Sequence, residues 1–143
     1  MAIASRYLDT EDLLVVVWDG RVSGEEWEGF ARGRLAADPG WPRGTRRLVD
    51  VTTLDPDSLT PADVEANTDL YRDRVANMVG VRTAIVASRA WAIATEYERR
   101  IDRLGSTTIV FNYPAEACRW LGLDPDRARE VVAGLRRELR DEG

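Results

Sequence analysis

Residues 81–123 read VRTAIVASRAWAIATEYERRIDRLGSTTIVFNYPAEACRWLGL. An apolar run, Thr83–Ala87, leads through Ser88 into a segment of helical character, Ser88–Leu104. A second run, Thr107–Phe111, leads through Pro114 into a short helix, Pro114–Leu121. Strand–helix–strand–helix at this spacing predicts parallel strands joined by helical crossovers. The near-continuous apolar character of Val81–Ala87 suits a strand covered on both faces.

Toward the N-terminus, Ile3–Tyr7 and Leu13–Trp18 are apolar runs separated by the acidic turn LDTED, the pattern of an antiparallel hairpin. Asp19-Gly20 ends the second run, and Ser23 with Glu26 three residues on forms a capping-box signature for a helix. Trp27, Phe30, Ala31 and Leu35 give that helix its apolar stripe. Arg46–Val51 reads as the next strand, with Asp50 near its end and the polar loop TTLDPDS beyond. Thr60 then Pro61 mark a helix start, threonine at the cap and proline at the first helical position. Val64, Leu70, Tyr71, Val75 and Met78 would form one buried face of a single long helix. Asp124-Pro125 opens an amphipathic C-terminal helix, residues 125–140, with Ala128, Val131, Val132, Leu135 and Leu139 on one side. The expected architecture is α/β: a mixed five-stranded sheet, an antiparallel hairpin followed by parallel strands, with helices on both faces. Right-handed crossovers are expected to place helices against both faces. In such sheets ligands bind beyond the C-terminal ends of the parallel strands. That rim collects residues 20–23, 50–60, 88–89 and 112–114.

Composition narrows function mainly by what is missing. The 143 residues read as one domain, long enough to bury roughly 70% of the surface its unfolded chain exposes. Apolar and charged fractions of 44% and 31% are those of an ordinary globular protein. No apolar run approaches the length of a membrane helix, and the N-terminus carries acids where a signal peptide needs an apolar stretch, so a cytoplasmic protein is expected. There is no histidine and no lysine, and Cys118 is the single cysteine. The usual neutral-pH base, Ser–His and Cys–His nucleophile pairs, Schiff-base chemistry and multi-cysteine metal sites are thereby excluded. The one basic cluster, Arg43, Arg46 and Arg47 beside Trp41, reads as a solvated loop–strand junction. A net charge of −5 lacks the broad positive field that nucleic acid requires.

The pieces VVVWDGRVSGEEWEGF, RLVDVTTLD, LTPADV, AIVAS, IVF and EACRWLG, in that order over residues 3–123, resemble the STAS-like, SpoIIAA-like family of small bacterial domains. The resemblance implies the fold of anti-sigma-factor antagonists, related more distantly to CRAL-TRIO lipid-binding domains. Two departures stand out. Where partner-switching members present an Asp-Ser-Ser/Thr-Gly-type loop, this chain has Asp57-Ser58-Leu59-Thr60. Where many SpoIIAA-like members carry a Gly…Arg pair after the AIV strand, the matching positions are Ala92 and Thr95.

The candidate binding residues each carry two readings. Ser58 and Thr60 could accept a phosphate near a helix N-terminus, or serve as turn residue and cap. Asp50 could bind a polar ligand group or cap the following loop. Ser88, Arg89 and Trp91 could form an anion pocket at a helix start, or act as cap, solvated charge and core. Trp18, Trp27, Trp91 and Trp120 could line an apolar cavity or fill the core. Cys118 reads as a buried, inert thiol. Asp50, Asp55 and Asp57 lack the glycine and distal glutamate of a calcium loop, so neither metal nor cofactor is expected. Carboxylate-only catalysis would have to fall to Asp50 and Glu96, and no spacing argues for it. Two function classes follow. One is a non-enzymatic regulatory module binding a protein partner or small ligand at the sheet rim. The other is a carrier or sensor of a small apolar or anionic molecule. An enclosed cavity would favour the second; a filled core with an exposed apolar patch would favour a protein partner. A homodimer is a further expectation, since the apolar stripe of the C-terminal helix must pack on its own domain or on a second copy.

Overall fold

A computed structural model of the chain describes residues 2–142. Strand β1 (Ile3–Leu8) pairs antiparallel with β2 (Leu13–Gly20), and β3 (Arg46–Leu54), β4 (Arg82–Val86) and β5 (Thr107–Phe111) add in parallel, in the order β1-β2-β3-β4-β5. Between β2 and β3 lies α1 (Gly24–Ala37). Between β3 and β4 come α2 (Pro61–Asp69) and the short α3 (Val75–Met78), and between β4 and β5 α4 (Trp91–Asp102). The chain closes with α5 (Pro114–Leu121) and α6 (Pro125–Glu142).

The predicted mixed sheet with helices on both faces is present, but the crossovers do not distribute those helices as expected. Spatial order follows chain order without a reversal, so crossovers of one hand all return on the same side. Trp27 of α1, Val64 of α2, Met78 of α3 and Ala94 of α4 accordingly share one core with Leu14, Val16 and Trp18. Helices α5 and α6 cover the other face, where Ala117, Leu121, Val132 and Leu135 meet Leu13, Val15 and Val17. β2 is thus buried on both faces, which is why it reads as an unbroken apolar run rather than an alternating one.

Local signals explain most boundaries. Ser23 Oγ accepts from the Glu26 N–H at 3.0 Å, as the cap signature predicts. The reciprocal half is absent, because the Glu26 carboxylate accepts from the Ala2 N–H instead. Thr60 forms a complete capping box with Asp63. The long helix expected after it stops at Asp69, and a 3-10 turn, Arg72–Arg74, precedes α3. The side chains of Asn67 and Thr68 bond back to the carbonyls of Asp63 and Glu65, competing with the helical ladder where the helix ends. Tyr71 and Met78 still reach the core, whereas Val75 is left exposed. Strand β3 runs three residues past its expected end, so Asp50 lies mid-strand and not at the rim.

All five stripe residues of α6 are buried within the chain, which removes the reason for assigning that stripe to a second copy. Ion pairs fasten the helix to the strands, among them Arg6–Glu138 at 2.8 Å and Arg140–Asp19 at 3.1 Å. The Arg140 hydrogen bond holds the Asp19 carboxyl below its ordinary range, against the opposing effect of burial. A carboxyl depressed by folding stabilises above its unfolded value and loses that contribution as pH falls through the folded one. The stability difference between the wild type and Asp19→Asn is therefore expected to be present at pH 7 and to shrink below about pH 4. Urea unfolding at several pH values checks this; a difference that persists undiminished at pH 2 contradicts it. No helix among the described residues is long and apolar enough to cross a membrane.

Candidate functional site

Alternation along β3 sends Arg47, Val49 and Val51 toward α1–α4 and Leu48, Asp50 and Thr52 toward α5–α6. Each set lines a cavity. On the α1–α4 side the helices do not close fully over the sheet. Val49 lies on the central strand of five and still keeps partial exposure, because it faces this gap. The helix residues lining the gap include two small ones, Ala31 of α1 and Ala94 of α4. The space measures about 80 Å³, and its walls include Trp18, Trp27, Trp41, Tyr71 and Ile85. Half-buried Phe30, Ile93 and Tyr97, from α1 and α4, also line it and mark its opening.

This apolar cavity contains one formal charge. Arg47 is 5% exposed, donates from Nε to Thr83 Oγ1 at 2.9 Å, and has its Nη2 buried without a partner. Its guanidinium lies 5.5 Å from the centroid of the Trp41 ring. A second guanidinium, that of Arg34, sits 5.6 Å from the same ring, with its own Nε buried and unpartnered. Arg74 donates to the carbonyls of Leu35, Asp38, Pro39 and Trp41. Among the described residues, none of these three arginines makes an ion pair with a carboxylate. The indole N–H groups of Trp18 and Trp41, both in the cavity wall, are also buried without acceptors. Burial pushes the Tyr71 phenol up to about 12, Tyr97 adding to the effect and Arg47 opposing it, so the hydroxyl stays protonated at ordinary pH. Among the described residues, the site's lining is rich in donors and holds no acid to answer them.

The opposite cavity is larger, about 250 Å³, but its charges answer one another. Asp50, 6% exposed, accepts from Arg136 Nη2 at 2.9 Å, from the Thr52 N–H at 2.9 Å and from Thr52 Oγ1 at 2.6 Å. Arg136 Nε is buried there without a partner. Cys118 lines this cavity; burial raises its thiol, in keeping with an unreactive sulfur.

The residues singled out in the sequence are scattered. Asp50 faces α6 and not the rim. Ser58 Oγ donates to the Asp55 carbonyl at 2.7 Å and accepts from the Val22 N–H at 3.2 Å, joining two of the rim segments. Thr60 caps α2, and its hydroxyl touches the Asp63 carboxylate, so a phosphate there would meet a like charge. Ser88 and Arg89 are exposed in a bend ahead of α4; the cap position is Ala90, which makes no side-chain cap bond. Trp91 is 39% exposed and belongs to neither core nor cavity. Of the four tryptophans suggested as cavity lining, Trp18 and Trp27 line it, while Trp120 lies on the other face against Phe111. Asp50 and Glu96 are on opposite sides of the sheet, the latter tied to Arg99 and Arg100. Asp55 pairs with Arg21, away from Asp50.

Arg47 and Trp41 are the residues that the sequence reading missed. Grouped with Arg43 and Arg46, Arg47 looked like part of a solvated cluster. Only Arg43 is exposed; Arg46 is held by the carbonyls of Glu11 and Leu121. The available signal was parity: Arg47 is in phase with Val49 and Val51, so any strand that buries those two buries the arginine.

No protein-family model matches the chain, and no curated protein does. Among solved structures, the fold matches that of an uncharacterized DUF3478-family protein with a SpoIIAA-like fold from Shewanella loihica PV-4. The two share 20% identity over 84% of this chain and 94% of that one, with a TM-score of 0.58. The fold of this chain is SpoIIAA-like.

Proposed function

We propose that the chain is a non-enzymatic STAS-type binding module whose ligand is a small molecule held between the sheet and helices α1 and α4. One observation carries the reading: a buried guanidinium without a counter-ion at the wall of an otherwise apolar cavity. A charge buried this way destabilises the empty protein, and a bound group that answered it would offset the cost. The rim reading has less behind it, since Asp50, Ser58 and Thr60 are engaged within the fold. A protein partner at the rim would have to use exposed Trp91 and Tyr113 with Arg89.

Xenon tests the reading with a neutral probe. In pressurised crystals it is expected to occupy the space beside Trp27, Trp41 and Ile85, as apolar cavities do. Ala94→Phe, which fills the space from α4, is expected to abolish that site while leaving the fold intact. A wild-type crystal without xenon there would mean a closed core and would overturn the reading.

A further inference from the structure

Taking the small-molecule reading as its basis, we infer that the ligand is a compact monocarboxylate, a single carboxylate on a short apolar body, with Arg47 as its counter-ion.

The charge follows from the inventory of unanswered groups. Among the described residues, the buried, unpartnered polar atoms of the residues that line the cavity are all donors: Arg47 Nη2, Trp18 Nε1 and Trp41 Nε1. Arg34 Nε, beside the Trp41 ring but outside the cavity lining, is a further unanswered donor. A ligand that satisfies the lining residues must be an acceptor without donors of its own, and beside the Arg47 guanidinium it should be anionic. A planar carboxylate suits a guanidinium fork, whereas an ammonium or amide nitrogen would face only other donors.

Size and the remaining wall restrict the rest. About 80 Å³ is roughly half of an engineered apolar cavity of about 150 Å³ that takes up a benzene. The space therefore holds a carboxylate and the first carbons of its chain, and a four- or five-carbon tail reaches toward the opening at Phe30, Ile93 and Tyr97. Apart from Arg47 and the hydroxyls of Thr83, Tyr71 and Tyr97, the lining is aliphatic or aromatic surface, which an apolar tail would cover. Inorganic phosphate fits poorly. It carries more charge than the one fully buried arginine answers, and it has no apolar part to place against Val49, Val51 and Ile85.

Calorimetric titration of the whole chain with acetate, butyrate, isovalerate and hexanoate, set against butyramide and inorganic phosphate, tests the assignment. Butyrate or isovalerate is expected to bind best, about tenfold or more tighter than butyramide, because only the acid makes charge-assisted bonds. Arg47→Met should abolish the preference for acid over amide, and Arg47→Lys should keep part of it, since a point charge remains without the fork. Equal binding of butyrate and butyramide, tightest binding of phosphate, or an undiminished acid preference in Arg47→Met would each overturn the inference. Xenon entering the cavity while butyrate fails to bind would overturn the ligand class alone. Exclusion of both would overturn the small-molecule reading with it.

Discussion

Arg47→Met is expected to unfold at a higher temperature than the wild type in the absence of ligand. Taking an unpaired guanidinium out of water costs several kcal/mol, and apolar replacements of buried charges have been stabilising by about 1–4 kcal/mol. Two losses oppose this gain. The stacking on Trp41 is worth about 1 kcal/mol. Thr83, 1% exposed, loses its donor from Arg47, a further cost of about 1 kcal/mol. Methionine fills most of the same length and adapts to irregular space. Against a gain toward the upper end of that range the two losses leave the variant ahead by up to about 2 kcal/mol, a rise of at most a few degrees for a chain of this length. Butyrate should reverse the order, since a ligand stabilises only the protein that binds it. Thermal unfolding with and without butyrate reads both effects. A variant less stable than wild type in buffer would mean that the guanidinium has a counter-ion or ordered water that answers it.

Asp50→Ala should act in the opposite direction and more strongly. Asp50 and Arg136 are also buried, with side-chain exposures of 8% and 20%, but they answer each other. Removing the carboxylate leaves Arg136 charged and unpaired beneath α6, and takes the acceptor from the Thr52 amide and hydroxyl. Breaking one side of such a pair costs about 3–5 kcal/mol; the partial exposure of Arg136 places this one near 3. The double variant Asp50→Leu with Arg136→Met should recover most of the loss, because the penalty comes from the orphaned charge and not from the missing bond. Chemical denaturation of Asp50→Leu, Arg136→Met and the double variant measures the coupling directly. Additive losses in the double variant would contradict the account. The two buried arginines thus differ in whether the fold supplies an acid. That difference is why ligand binding is proposed for the Arg47 face and a structural role for the Asp50 face.

Much of the fold was legible because its signals are local. Ser23 and Thr60 cap where their side chains predict, Pro114 and Pro125 start their helices, and the five stripe residues of α6 are buried as its periodicity requires. The helix after Thr60 failed because Asn67 and Thr68 engage their own backbone, an effect that apolar spacing does not register. The Ser88 cap failed because the chain spends Ser88 and Arg89 on a bend before α4 begins. The placement of the site was not legible, because it depends on strand order. A sheet with a reversal would have a crevice at its rim. This one runs β1 to β5 without reversal and has its opening beneath the crossover helices. Arg47 was hidden by its neighbours in sequence, Arg43 and Arg46, which face elsewhere.

A crystal structure of the chain grown with isovalerate decides whether the proposed carboxylate sits against Arg47 between the sheet and α1/α4. The expected density is that of the acid with an oxygen in hydrogen-bond reach of Arg47 and its branched tail against Val49 and Ile85. An empty cavity, or the acid bound instead beside Arg89 at the rim, would rule the arrangement out.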